Sequence, residues 1–211
     1  MKEYHKIETL FIFDKETKKH IYGEFYNPNV EALKNVQWII TEKIDGMNFR
    51  IFWDGHKLSY GGRTDNATFT KEQEEYIRSE LINKDIEILF EQKFMEKQVY
   101  IYGELYGVGI QSGGMYTNGY NIDFKVFDIE IDGVILTKYG ARDLAFELGY
   151  NFVPIVGEMT LIQALDKIKS EETSYFSSAK LEGYVATPIG DFRDRLGRRI
   201  IVKIKKRDIE L

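Results

Sequence analysis

The stretch Trp38-Ile39-Ile40-Thr41-Glu42-Lys43-Ile44-Asp45-Gly46-Met47-Asn48-Phe49-Arg50-Ile51-Phe52-Trp53 carries two apolar runs separated by a tight Asp-Gly. Trp38 to Lys43 and Asn48 to Trp53 read as strands around Asp45-Gly46. Asp54-Gly55 then signals a hairpin into a third strand at Lys57 to Tyr60. Lys43 thus stands at a strand end, just before a turn. A lysine nucleophile must be neutral to attack, and its reference pKa is ~10.4. Partial burial and cations such as Lys203 and Lys205, brought close by the fold, would lower that value. Read alone, Lys43 is more readily a solvated turn lysine than a nucleophile.

Three later segments supply what such a nucleophile would need. Glu104 ends the strand-like Val99 to Gly103, and glycines at 103, 107 and 109 allow close backbone approach to a ligand. Its carboxylate suits a ribose hydroxyl or a hydrated metal, or else faces solvent. Glu182 precedes Gly183 at a strand start and is a second acid suited to magnesium. Lys203 and Lys205 alternate with Val202 and Ile204, so a strand projects both ammonium groups from one face. Triphosphate oxygens would neutralise that pair and be stabilised as charge develops. Alternation through residues 122–129 puts Phe124, Val126 and Asp128 on one face, where an aromatic is ordinarily core. Arg63, after Gly61-Gly62, could clamp a phosphate or the acceptor end, or be a plain loop arginine.

The charge distribution points the same way. The chain of 211 residues is −5 overall, but residues 193–207 hold eight basic side chains against Asp194 alone. That segment is +7 and the remainder −12, as expected of a site that handles phosphates. An exposed basic edge strand is the alternative. With 43% hydrophobic and 14% aromatic residues the chain can build a real core. It has no cysteine, and His5, His20 and His56 lack metal-ligand spacing. No apolar run approaches the ~20 residues that cross a bilayer, so a cytoplasmic protein without membrane contact is expected.

Apolar runs at Ile7 to Phe13 and His20 to Phe25 flank a polar turn and predict a hairpin. A short helix is expected at Val30 to Lys34, and a long one from Thr70 to about residue 96, with Gln73 completing a capping box. Strands are expected at 98–105, 122–130, 133–137, 182–187 and 199–206. Helices are expected at 139–148, closed by Gly149, and at 160–170. Strands cluster and helices interrupt them irregularly, which predicts an α+β fold of largely antiparallel sheets flanked by helices, as one domain over residues 1–211.

In this order the segments resemble the covalent nucleotidyltransferase superfamily of ligases and capping enzymes, and most closely ATP-dependent RNA ligases of the RNA ligase 2 type. Thr41-Glu42-Lys43-Ile44-Asp45-Gly46-Met47-Asn48-Phe49 is similar to the first motif of that group. Gly62-Arg63-Thr64 is similar to the next, and Tyr102 to Gly107 with Gly109-Ile110-Gln111 to the third. Phe124 to Ile129, Glu182-Gly183 and Lys203-Ile204-Lys205 resemble the rest, so the likeness runs from about residue 6 to 207. It implies ATP and Mg2+ (or Mn2+) as cofactors and a lysyl-AMP on Lys43. AMP would pass to an RNA 5′-phosphate, and an RNA 3′-hydroxyl would then seal the strand.

The same resemblance implies ATP contacts from Glu42, Lys43, Asn48, Arg63, Glu104, Phe124, Glu182, Lys203 and Lys205. Glu104 would take the ribose and Phe124 the adenine, while Glu182, with Glu104, would hold metal. Lys203 and Lys205 would meet the α-phosphate. The expected partners are RNA ends, RNA or RNA/DNA duplex nicks, and an accessory RNA-binding protein. That last expectation arises because an OB or other C-terminal domain of the kind common in these enzymes is not expected here. A small DNA ligase, a capping guanylyltransferase and a non-catalytic nucleotide- or RNA-binding module are the competing readings.

Overall fold

Ile44 and Asp45 are covalent neighbours, yet the chain passes between two compact units there. A computed structural model describes residues 1–119, 121–190 and 192–209. The central unit comprises Met1–Tyr4 and Asp45–Val153, and the flanking unit His5–Ile44 and Pro154–Leu211. In chain order the first strands are β1 (Glu8–Thr9), β2 (Phe11–Asp14), β3 (Lys19–Phe25), β4 (Trp38–Lys43), β5 (Met47–Trp53) and β6 (Leu58–Gly61). Then come β7 (Val99–Gly107), β8 (Ile122–Ile131), β9 (Val134–Ile135), β10 (Asn151–Phe152), β11 (Ile155–Met159), β12 (Gly183–Pro188) and β13 (Val202–Lys205). The helices are α1 (Pro28–Ala32), α2 (Lys71–Tyr76), α3 (Lys84–Phe94), α4 (Lys138–Glu147) and α5 (Leu161–Ser170).

The flanking unit is built on a sheet ordered β1-β13-β12-β4-β11, with the hairpin β2–β3 as a separate ribbon. Strand alternation sorts its faces. Trp38, Ile40, Tyr184, Ala186, Val202 and Ile204 point into a core closed by Leu161, Ala164, Leu165 and Ile168 of α5. Thr160 and Gln163 form the capping box that starts α5. The opposite face carries Lys43, Lys203 and Lys205.

The central unit has a sheet ordered β10-β8-β7-β5-β6, with β9 on β8. One face, bearing Phe49, Ile51, Trp53, Ile101, Leu105, Phe124 and Val126, is buried. The predicted long helix is divided. Thr70 and Gln73 do cap α2, which passes into a π-helical turn at Ile77–Leu81 and stops. The Asn83 side chain then accepts from Ile86 N and starts α3 anew. Pairing is antiparallel except at β1–β13 and β10–β8, whose short parallel ladders close the sheet edges. Strands β10 and β11 are additions to the expected set, and the last strand is shorter than expected. Residues 193–199 form a turn bridged from Arg193 to Arg199, and only Val202–Lys205 is strand. No helix among the described residues is long and apolar enough to cross a membrane.

Candidate active site

Lys43 occupies the last position of β4, directly opposite Gly183 of β12, which in turn faces Lys205 of β13. Glu182, one residue before Gly183, lies between the two lysines. Its Oε2 is 2.7 Å from Lys43 Nζ and its Oε1 2.7 Å from Lys205 Nζ. All three side chains are mostly buried, at 22%, 14% and 19% exposed. Two ammonium groups therefore share one carboxylate at the end of a sheet, which tethers both where an anion of several oxygens could replace it. Lys203 and Lys205 are the cations expected near Lys43; between Lys43 and Lys205 the structure interposes an acid.

This approach depends on Gly183. A Cβ there would lie 2.1 Å from the Ile204 carbonyl oxygen and 2.8 Å from Lys205 Cα, backbone atoms that cannot turn aside. Gly183→Ala is expected to push β12 from β13 and cost ~1–3 kcal/mol as an overpacked site. Thermal unfolding of the variant checks this, and an unchanged midpoint refutes it.

Lys203, two residues before Lys205 on the same face, faces Val185. Burial first, and then the charges of Lys205, Lys43 and Lys6, hold its ammonium below the ordinary lysine range. Those causes put Lys205, Lys43 and Lys6 within electrostatic reach of Lys203. Glu42 belongs elsewhere. It precedes Lys43 on the strand, so it points to the other face, where it is 1% exposed and accepts from Tyr175 N at 2.9 Å. Strand alternation thus puts the side chains of Glu42 and Lys43 on opposite faces of the sheet.

In the central unit Asn48, Glu104 and Lys125 form one cross-strand row over β5, β7 and β8. Glu104 accepts from Gly46 N at 3.2 Å, which fixes the Asp45-Gly46 turn beside it. Asn48 Oδ1 is buried and has no hydrogen-bond partner among the described residues, an acceptor left over for a ligand or water. Lys125 was not singled out from the sequence, where it stood among alternating aromatics.

Phe124 is on the opposite face from this row. It is 2% exposed, meets Phe49 and Tyr150 edge-on, and its ring lies over Gly103. The expectation that Phe124 is open for base stacking is corrected accordingly: it is core. Three residues further on, β8 bulges. Gly103 pairs with Val126 but Tyr102 with Asp128, leaving Phe127 as the extra residue. The register shift moves Asp128 off the Phe124–Val126 face. It also puts the half-buried Phe127 beside Tyr4, which touches Tyr102 as well. Tyr102 and Glu104 share a face, so Phe127 is the aromatic of β8 on the Glu104 side.

Arg63 is exposed in the loop after β6 and forms no ion pair among the described residues. Its loop is anchored by a residue the sequence reading passed over. Arg50, wholly buried, donates to Gly62 O at 2.7 Å, Asp65 Oδ1 at 3.0 Å and the Lys2 carbonyl at 2.8 Å. An arginine inside the apolar run Phe49-Arg50-Ile51 was the available signal. Among the described residues no three His, Asp or Glu side chains gather as a metal site. The carboxylates of Glu182, in the flanking unit, and of Glu104, in the central unit, are each of the donor type that a hydrated magnesium ion takes.

The chain was compared with known proteins. The RNA ligase family profile matches residues 36–205. The Naegleria gruberi RNA ligase with pyrophosphate superposes with a TM-score of 0.63 at 20% identity, over 95% of this chain and 59% of that one. A point mutant of the same ligase with ATP and manganese gives 0.62 at 20% identity, over 84% and 51%. Another, with AMP and manganese, gives 0.61 at 20%, over 84% and 52%. The chain therefore spans between half and three-fifths of the length of these structures, and the likeness is one of fold. The comparison with curated proteins gave no match. On the extent of the family match, the chain belongs to the RNA ligase family.

Proposed function

We propose that this chain performs ATP-dependent joining of RNA ends, with Lys43 as the nucleophile. Lys43 Nζ, deprotonated, attacks the α-phosphorus of ATP. A nitrogen–phosphorus bond forms, the bond to the bridging oxygen breaks, and pyrophosphate leaves with that electron pair. AMP then passes to an RNA 5′-phosphate, and an RNA 3′-hydroxyl displaces it to seal the strand. The observation that carries this reading is the single carboxylate of Glu182 held 2.7 Å from both Lys43 and Lys205. It keeps the nucleophile beside the cations that would meet the phosphates, and family membership supplies the reaction class.

Lys203 and Lys205 would bear on the α-phosphate, Glu104 and Asn48 on the ribose and phosphate side, and Arg63 on a phosphate from its exposed loop. For adenine we favour Phe127 over the buried Phe124. A divalent cation, Mg2+ or Mn2+, near Glu182 or Glu104 would screen phosphate charge. The reading is tested by incubating the chain with α-labelled ATP and magnesium, then adding 5′-phosphorylated RNA. Label should appear covalently on the protein and then move to the RNA; preference for GTP, or transfer to nicked DNA alone, would overturn it.

The depressed Lys203 ammonium yields a pH prediction. It binds phosphate only while protonated, so nucleotide affinity should fall as pH rises through its lowered pKa, before ordinary lysines titrate near ~10.4. Lys203→Arg, charged throughout, should flatten that profile. The sign for stability is opposite. The unfolded chain keeps this proton to higher pH than the folded one, so the contribution of Lys203 to stability rises with pH across the window between the two values. Nucleotide titrations between pH 7 and 10 check the first statement, and a profile identical in Lys203→Arg refutes it.

A further inference from the structure

The hairpin β2–β3 lies outside the family-matched residues, as do the residues just after β13. Together they enclose a cavity of about 450 Å³ lined by Phe13, Lys18, Lys19, His20, Tyr22 and Arg207 among others. That volume is in the range of small-ligand sites. We propose that this pocket binds single-stranded RNA, taking backbone phosphate on Lys18, Lys19 and Arg207 and a base on Phe13 or Tyr22.

The hairpin is held in place for such a task. A lone two-stranded ribbon is marginally stable, but Phe11 is buried in the core of the flanking unit and Phe25 packs against it. His20 joins the ribbon to the chain after β13. Its Nδ1 lies 3.1 Å from the Phe11 carbonyl and its Nε2 3.4 Å from Asp208 Oδ2. Lys18 and Lys19 form no ion pair among the described residues, and Arg207 is 76% exposed, with Asp208 3.7 Å from its Nε. Lys18 and Lys19, together with Arg207, outnumber Asp208 in the cavity wall and favour an anion. Phe13 is 48% exposed and offers aromatic surface for stacking, whereas Tyr22, 40% exposed, already has Lys169 Nζ 5.0 Å from its ring centroid. Lysines and arginine interleaved with open aromatic faces suit a nucleic-acid strand better than an acidic peptide, because each base offers a π-face.

The position agrees. Strand β1 runs directly into the ribbon and pairs with β13 at Thr9 and Lys203. In the order β1-β13-β12-β4, β1, which leads into the ribbon, stands three strand spacings, about 15 Å, from the strand of Lys43. The naming of RNA as the ligand rests on the function proposed above.

The test uses the full chain and a fluorescent single-stranded RNA, with binding followed by anisotropy at several salt concentrations. Lys18→Glu/Lys19→Glu should weaken binding at least tenfold and lower the slope of log K against log salt by about 1.4, the value for two phosphate contacts. Phe13→Ala should weaken it roughly fivefold or more. Lys57→Glu, an exposed charge on the central unit, should do neither. Covalent labelling by ATP should be unchanged in every variant. Unaltered RNA binding in both hairpin variants overturns the proposal. So does loss of ATP labelling alongside RNA binding, which would make the ribbon a structural element. Equal displacement of the RNA by polyglutamate, with Phe13→Ala neutral, would reveal a general anion patch and also overturn it. If the wild type takes no label from ATP, the ligase reading fails, while the anisotropy result still decides this site.

Discussion

On the proposed mechanism, Lys43→Ala is expected to abolish covalent labelling of the chain by ATP, with a loss on the order of 10³-fold or more, as for removal of other enzymic nucleophiles. The size follows from chemistry: without Nζ there is no atom on β4 to form the phosphoramide. The arrangement supplies its own competitor, because Lys205 Nζ sits on the other oxygen of Glu182 at the same 2.7 Å. A small residual label in Lys43→Ala that disappears in Lys43→Ala/Lys205→Ala would be misdirected attack by that second lysine. Lys43→Arg should be equally inactive, because a guanidinium stays protonated at working pH. The fold should survive in each case, since the Lys43 side chain lies on the face of β4 away from the α5 core. Full labelling in Lys43→Ala, measured after denaturing separation, would sink the assignment of the nucleophile.

Much of the architecture was legible in the chain because its signals are local. The capping box at Thr70, the strand from Trp38 to Lys43 and the stop at Gly149 each follow from residues a few positions apart. What escaped was non-local or interrupted. The two strands around Asp45-Gly46 look like partners, but β4 pairs with β11 and β12 while β5 pairs with β6 and β7. Nothing within that stretch encodes which distant strands will claim each half. The place of Glu42 was within reach, since adjacent strand residues face opposite ways. Alternation correctly put Phe124 with Val126 on a core face, but it also put Asp128 there, and the bulge at Phe127 that moves Asp128 off that face depends on the partner strand. The Lys43–Glu182–Lys205 contact joins residues up to 162 positions apart. Composition could supply its members but not the order in which they touch.

Lys138→Met should destabilise the chain by ~3–5 kcal/mol, the cost of leaving a buried charge without its partner. Lys138 is 2% exposed at the first turn of α4, and its Nζ donates to Asp128 Oδ1 and the Phe127 carbonyl, each at 2.8 Å. Asp128 is wholly buried and also accepts from the Tyr4 hydroxyl. Methionine preserves the aliphatic stem, so the loss comes from the ammonium rather than from a cavity. For a chain of this length the melting temperature should fall by roughly 10 °C. The companion Asp128→Leu/Lys138→Met should recover most of that loss, because removing both charges leaves neither stranded. A fall of less than about 2 °C in the single variant would show that Asp128 is satisfied without Lys138. The pair also matters beyond stability. Lys138 ties both the backbone of Phe127 and the carboxylate of Asp128, the two residues opposite Tyr102 at the bulge. The bulge is what turns Phe127 toward the Glu104 face, so loosening it should raise the apparent KM for ATP even under conditions where Lys138→Met is fully folded. An unchanged KM there would separate the bulge from nucleotide binding and leave the ion pair a purely structural part.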